Sequence, residues 1–294
     1  MTASPPLPVS TSDEEVPAVA SARARAVARF LRNRGAVIGL VVLVFWCVVA
    51  LLGPLVAPYD PTDTVGMARR PPSGEFWLGT DTLGRDVFSR VLVGSQVSLL
   101  LGLISVGLGA VPGVLMGLIA GYFGGWVDTI ISRFVDAMLA FPSILLALVI
   151  IAALGPSLPN VMIAVGIGTI PLYARLTRGS VLGVKRLPYV EAARVLGNPP
   201  SRIMLRHVLA NCYAPIVVLS TLQVGNAILV GSGLSFLGLG AQPPTPEWGL
   251  MSAEGRAEAV TRWGDGDFGP GSAMARSAAA TRCCGLKYQL VWGI

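Results

Sequence analysis

"YVEAARVLGNPPSRIMLRHVLAN", Tyr189 to Asn211, holds one acid, three arginines, the chain's single histidine and two adjacent prolines, between segments composed for lipid. Its pattern is helical. Tyr189 to Leu196 are good helix formers, and Gly197 supplies the permissive backbone that commonly ends a helix. Pro199 is pushed out of the helical region by the proline after it, whereas Pro200 suits a first helical position, where its missing N–H costs nothing. From Ser201, the apolar Ile203, Met204, Val208 and Leu209 alternate at helical spacing with Arg202 and Arg206. Two short amphipathic helices joined at a bend are therefore expected. A headgroup-hugging connector would look like this, and so would a docking element for a soluble partner.

Working outward, 53% of the 294 residues are hydrophobic and 13% charged, with a mean hydropathy of +0.67. Soluble domains carry about a quarter charged residues, so this is an all-α polytopic membrane protein. Five segments approach the roughly 20 apolar residues that a bilayer core requires. They run Gly35 to Ala57, Val97 to Gly121, Trp126 to Leu154, Val161 to Leu176 and Cys212 to Leu234. Arg23, Arg25, Arg29, Arg32 and Arg34 precede the first, and Arg178, Lys185, Arg186, Arg194, Arg202 and Arg206 lie between the last two. By the positive-inside rule both regions are cytoplasmic. The basic residues are spread between apolar spans with few aromatics among them, which argues against a nucleic-acid partner despite the net charge of +6.

Chemistry is sparse. Cys47 and Cys212 sit in apolar runs, Cys283 and Cys284 are adjacent, and no metal-ligand spacing involves them or His207. The two lysines, Lys185 and Lys287, stand in no phosphate-gripping Gly-rich context, so no ATP site is expected in this chain. No nucleophile, base and orienting group are suggested by the spacing, which leaves no catalytic residue and makes a membrane enzyme a weak reading.

"EAARVLG" (Glu191 to Gly197) followed by "HVLAN" resembles the EAA loop of ABC importer permeases: E-A-A, three residues, Gly, nine residues, I-x-L-P. Glu191, Ala192, Ala193, Gly197 and Leu209 match, while His207 stands in place of the aliphatic residue and Ala210 in place of the proline. "FWLGTDTLGRDVFSR" (Phe76 to Arg90), "GYFGGWVDTIISRFVDAMLAFPS" (Gly121 to Ser143) and "LSFLGLGAQPPTPEWG" (Leu234 to Gly249) are similar to the dipeptide, oligopeptide and nickel subfamily, in particular its second permease subunit. The resemblance extends from about Arg32 to Arg256.

It implies a type I importer permease fold in the bacterial inner membrane with a cytoplasmic N-terminus, a homologous permease, two ATP-binding subunits and an extracytoplasmic solute-binding protein as partners, and ATP used only by those partner subunits. The solute would be a di- or oligopeptide, with nickel as the alternative. A secondary transporter or channel is the reading from another class. It would need ion-coupling acids within the spans, and almost none are present. Residues 1–34 form the cytoplasmic N-terminal segment, 35–57 the first membrane helix, 58–96 a periplasmic loop, and 97–256 the permease core with a coupling loop at 178–211.

The resemblance assigns ATPase coupling to Glu191, Ala192, Ala193, Arg194, Gly197 and Leu209, with the two alanines allowing close approach. Asp128, Arg133 and Asp136 lie at the inner end of the third span as a candidate gate or lumen set, and Arg133 can pair with Asp136 three residues on. Pro142 would kink this span. Asp81, Arg85 and Asp86 are candidates for periplasmic docking, with Asp86 and Arg90 at i,i+4 spacing. The family's acid before "LSFLGLG" is Gly231 here. After Arg256 a sixth membrane helix is expected but missing: 257–294 contains no long apolar run, and its composition resembles an out-of-frame translation of GC-rich coding sequence, with a lineage-specific soluble tail as the alternative.

Overall fold

In the computed structural model, residues 32–264 are described, the side chains only to Ala257. The tail beyond Gly264, where the missing-helix and frameshift expectations fall, lies outside the described residues. The chain divides within its first helix, α1 (Arg34–Val56), into units ending at Phe45 and beginning at Trp46. In the first unit, the Asn33 side chain caps the helix by accepting from Gly35 N at 3.1 Å, and Ile38, Val41 and Phe45 stand exposed, as a lipid-facing surface requires.

The second unit carries the remaining helices: α2 (Val87–Phe123), α3 (Gly125–Leu139), α4 (Ser143–Leu154), α5 (Leu158–Val184), α6 (Pro188–Val195), α7 (Pro200–Phe236) and α8 (Trp248–Gly264). Among the described residues no strand forms; there is one isolated bridge, between Thr80 and Asp86. The helices α1, α2, α5 and α7 are each long and apolar enough to cross a bilayer, and α3 with α4 makes a fifth candidate, bent by 86°. This agrees with five spans and corrects the third. Pro142 does not kink a continuous helix; Ala140 ends α3 and Pro142 caps the start of α4. α8 runs unbroken across Arg256.

The architecture is held together by close approach of α2 to α5. Gly109, Gly113, Gly117 and Gly121 recur every four residues and so share one face of α2. A Cβ at Gly113 would stand 2.6 Å from both the Ile170 carbonyl and the Tyr173 Cβ, and one at Gly121 would stand 2.8 Å from the Val181 Cβ. Lipid gives apolar side chains no reason to leave it, so membrane helices associate through such backbone proximity. Leu101, Ala147, Ile151, Val161, Ala164 and Leu234 fill the core between α2, α4, α5 and α7.

α2 and α7 have 37 residues each, about 55 Å of helix against ~30 Å of hydrocarbon, so both project well beyond the bilayer. The 58–96 loop, expected to be periplasmic, is accordingly shorter than expected: its last ten residues are already the first turns of α2. The second helix of the 189–211 stretch is likewise not short, because it continues into the last span as α7.

Candidate functional site

The 189–211 stretch, where coupling is expected, is a platform with a projecting tip. α6 ends in a Schellman motif: Gly197 N donates to Arg194 O at 3.0 Å and Asn198 N to Ala193 O at 3.3 Å, with Gly197 at φ +75°. Nothing lies within 4 Å of where a Cβ at Gly197 would stand, so backbone conformation, not space, calls for glycine there. Pro200 starts α7, as expected, and Ile203–Leu209 widens into a π-helical turn. That turn lets Ile203 and Val208, five residues apart, both reach one core with Leu118, Val181, Val190, Ala193, Met204 and Cys212.

The match residues therefore divide. Glu191, Ala192, Arg194 and Gly197 are exposed, while Ala193 is buried in the platform and Leu209 packs half-buried against it. The expectation that Ala193 allows a partner to approach is thus corrected: its small side chain lets α6 sit on α7. His207 is half-buried, and its carbonyl accepts from Asn211 Nδ2 at 2.6 Å. Sequence reasoning missed Val195 and Leu196, which are 86% and 81% exposed at the tip. Two apolar residues directly before a helix-ending glycine were the available signal.

At the base of the platform, α3 is tied to α5. Arg178 grips Asp128 through two hydrogen bonds, at 2.5 and 2.7 Å, and Ser132 Oγ donates to Asp128 at 3.2 Å. Arg175 Nη2 reaches Asp136 at 2.8 Å. The expected Arg133–Asp136 pair does not form, because the neighbouring helix supplies Asp136's partner and Arg133 lies exposed. Between α2, α3 and α5 lies a cavity of about 380 Å³ lined by Gly117, Ser132, Asp136, Arg175 and Arg178, among others.

At the other end, the residues expected to dock a soluble protein are turned inward. Arg85 and Asp86 are buried; only Asp81 keeps some exposure. Asp86 caps α2 by accepting from Ser89 N at 2.8 Å. It does not pair with Arg90, whose guanidinium goes to Asp81 and, at 2.9 Å, to Glu254 of α8; Arg85 binds Asp81 at 2.6 Å and Glu254 at 3.4 Å. Glu247, also buried, accepts from Ser232 Oγ and Leu250 N, each at 2.9 Å, and so fastens the start of α8 to α7. Gly231 packs against Leu101 and carries no charge toward a solute.

Partial burial pushes the Asp81 carboxyl upward, but backbone N–H donors of Arg85 and Leu83, the Arg85 side chain and the Arg90 charge outweigh it, and the group lies below its usual value. A folded value below the unfolded one means that the contribution to stability is fully present above the ordinary carboxylate range and is lost as pH falls through the lower folded value. The 58–86 loop is therefore expected to become protease-sensitive below about pH 4, and Asp81→Asn to show that sensitivity already at neutral pH. Limited proteolysis across a pH series checks this.

Comparison with known proteins fits this arrangement. Residues 113–279, more than half of the chain, match the family model described as binding-protein-dependent transport system inner membrane component. Residues 21–72 match the N-terminal TM domain of oligopeptide transport permease C. The dipeptide transport system permease protein DppC of Alkalihalophilus pseudofirmus is 42% identical over 252 residues, 85% of this chain and 83% of its own. The glutathione transport system permease protein GsiD of Pectobacterium atrosepticum is 44% identical, covering 79% and 78%. The di/tripeptide transport system permease protein DppC of Pseudomonas aeruginosa is 45% identical, covering 80% of each chain. With a family model matched over more than half of its length and helices long and apolar enough to cross a bilayer in the expected order, the chain belongs to the binding-protein-dependent transport system inner membrane component family.

Proposed function

We propose that the chain forms half of the translocation pathway of an ATP-driven importer for di- or oligopeptides, beside a homologous permease. Two ATP-binding subunits act on it from the cytoplasm and a solute-binding protein delivers from outside, with the N-terminus cytoplasmic. The names of the relatives support peptides, glutathione being itself a tripeptide, and give nickel no support. The observation that carries the coupling reading is the tip: Val195 and Leu196 exposed beside Glu191 and Arg194, on a loop pinned by the Gly197 turn. An apolar pair with flanking charges suits a groove on a soluble partner.

Because α7 continues from the platform into the membrane, displacement of the tip moves a membrane helix directly. The Asp128–Arg178 and Asp136–Arg175 pairs carry the same displacement to α3 as candidate gate elements. Leu196→Asp or Gly197→Val is expected to lower uptake about tenfold or more while basal ATP hydrolysis by the assembled complex persists. Uptake and hydrolysis measured together in proteoliposomes decide it. Unchanged stimulated hydrolysis and uptake in both variants would sink the coupling role.

A further inference from the structure

The exposed side of the 189–211 platform carries positive charge that nothing in the chain answers. Arg186, Arg194, Arg202 and Arg206 are exposed, and none of them has an ion pair or side-chain hydrogen bond among the described residues. Glu191, three residues before Arg194, does not pair with it. By contrast, Arg85 and Arg90 bind Asp81, Arg175 binds Asp136 and Arg178 binds Asp128.

These arginines alternate with apolar side chains. Val195 and Leu196 follow Arg194 at the exposed tip, and Leu205, 59% exposed, lies between Arg202 and Arg206. Tyr189 is exposed as well. The positive-inside rule accounts for the charge but not for the apolar residues set among it. A helix lying in a headgroup layer turns its apolar face to the lipid. Here that face, formed by Val190, Ala193, Ile203, Met204 and Val208, is buried in the platform's own core. Arg202 also lies ten residues before Cys212, where the apolar run begins. That is more than about 10 Å along a helix, farther than the roughly 5–8 Å depth of a headgroup layer. Arginine and tyrosine around exposed apolar residues have the composition of a protein interface.

We infer, on the coupling reading above, that the groove receiving this tip is acidic: an apolar floor takes Val195 and Leu196, and carboxylates of the ATP-binding subunit pair with Arg194, Arg202 and Arg206. Unanswered positive charge attracts such a rim during encounter and disfavours a basic one. A guanidinium meets a carboxylate through two parallel N–H···O bonds, so these pairs fix the orientation of the tip as well as its presence. Charge on this surface thereby selects among ATP-binding subunits that share an apolar floor.

The test measures binding of the purified ATP-binding subunits to the chain and its homologous permease in phosphatidylcholine nanodiscs, where the lipid has no net charge. Raising salt from about 50 to about 300 mM is expected to weaken binding about tenfold, since exposed ion pairs are screened. Arg202→Glu with Arg206→Glu is expected to weaken it about a hundredfold, because each reversal sets like charges together. Leu196→Asp is the reference for the site itself. If it weakens binding while salt and the double reversal leave binding unchanged, the acidic groove is overturned and the coupling site stands; if none of the three matters, the coupling site fails as well. Weakening by the reversal only in discs that contain phosphatidylglycerol assigns the arginines to lipid and overturns the inference. Arg202→Lys, which keeps the charge, gives a second readout. Carbodiimide is expected to join its amine to an Asp or Glu of the ATP-binding subunit, and an assembled complex that yields no such amide contradicts the acidic groove.

Discussion

Substituting Gly113 by leucine is expected to reduce folded, extractable protein in the membrane about tenfold or more. The site is the middle of the α2 stripe, where an added Cβ would stand 2.6 Å from the Ile170 carbonyl and from the Tyr173 Cβ of α5. A backbone carbonyl inside a helix cannot give way by a rotamer change, so α2 and α5 must separate. Overpacking of this kind costs about 1–3 kcal/mol in soluble cores. Here it also removes the close contact on which association in lipid depends. Intrinsic helix preference works in the other direction, since leucine is the better helix former by about 0.8 kcal/mol. A loss therefore reports on packing and not on α2 itself. Gly107→Leu is the control: a Cβ there meets nothing within 4 Å, and accumulation close to wild type is expected. Fluorescence-detected size-exclusion of detergent extracts measures both. Equal monodisperse peaks from the two variants would contradict the proposed role of the stripe.

The spans were legible in the sequence because twenty apolar residues in a row have few other uses, and the bend within 189–211 because its Gly197 and Pro200 signals are local. What required coordinates was mostly non-local. Nothing near Asp136 in the chain says that Arg175, thirty-nine residues later, will reach it before Arg133 does. Likewise Arg90 and Asp86, four apart, have the spacing of a pair, yet Asp86 is taken by the cap of α2 and Arg90 faces a helix more than 160 residues away. Charge pairs inferred from spacing assume an isolated helix, and packed helices offer better partners. The continuity of α7 was hidden for a different reason. A proline-started amphipathic helix and an apolar span look like two elements because their solvents differ, although the backbone between them never leaves the helical region. Even the exposed Val195 and Leu196 look, in sequence, like the buried side of α6.

Arg90→Met is expected to destabilise the end of the protein that holds the 58–86 loop and the start of α8 strongly, and a second substitution, Glu254→Gln, to restore much of the loss. Arg90 is 1% exposed, and its charge sits between Asp81 and Glu254, whose side chains are 13% and 24% exposed. With Arg85, the four groups sum to zero. Removing Arg90 alone leaves one carboxylate unbalanced in a largely dehydrated place, and breaking a buried pair from one side costs about 3–5 kcal/mol. Removing Glu254's charge as well returns the cluster to neutrality, with Asp81 and Arg85 still paired at 2.6 Å. The wild-type arrangement is not fully satisfied, since Arg90 Nε and Nη2 and Asp86 Oδ1 are buried without partners, so an apolar replacement has desolvation to recover. Glu254→Gln alone should cost less than Arg90→Met, because its carboxylate is the more hydrated. Apparent melting temperatures of the four proteins in one detergent form a double-mutant cycle with an expected coupling of about 1–3 kcal/mol. Additive losses would mean that α8 and the 58–86 loop are stabilised independently, and that Arg90 holds the loop through Asp81 alone.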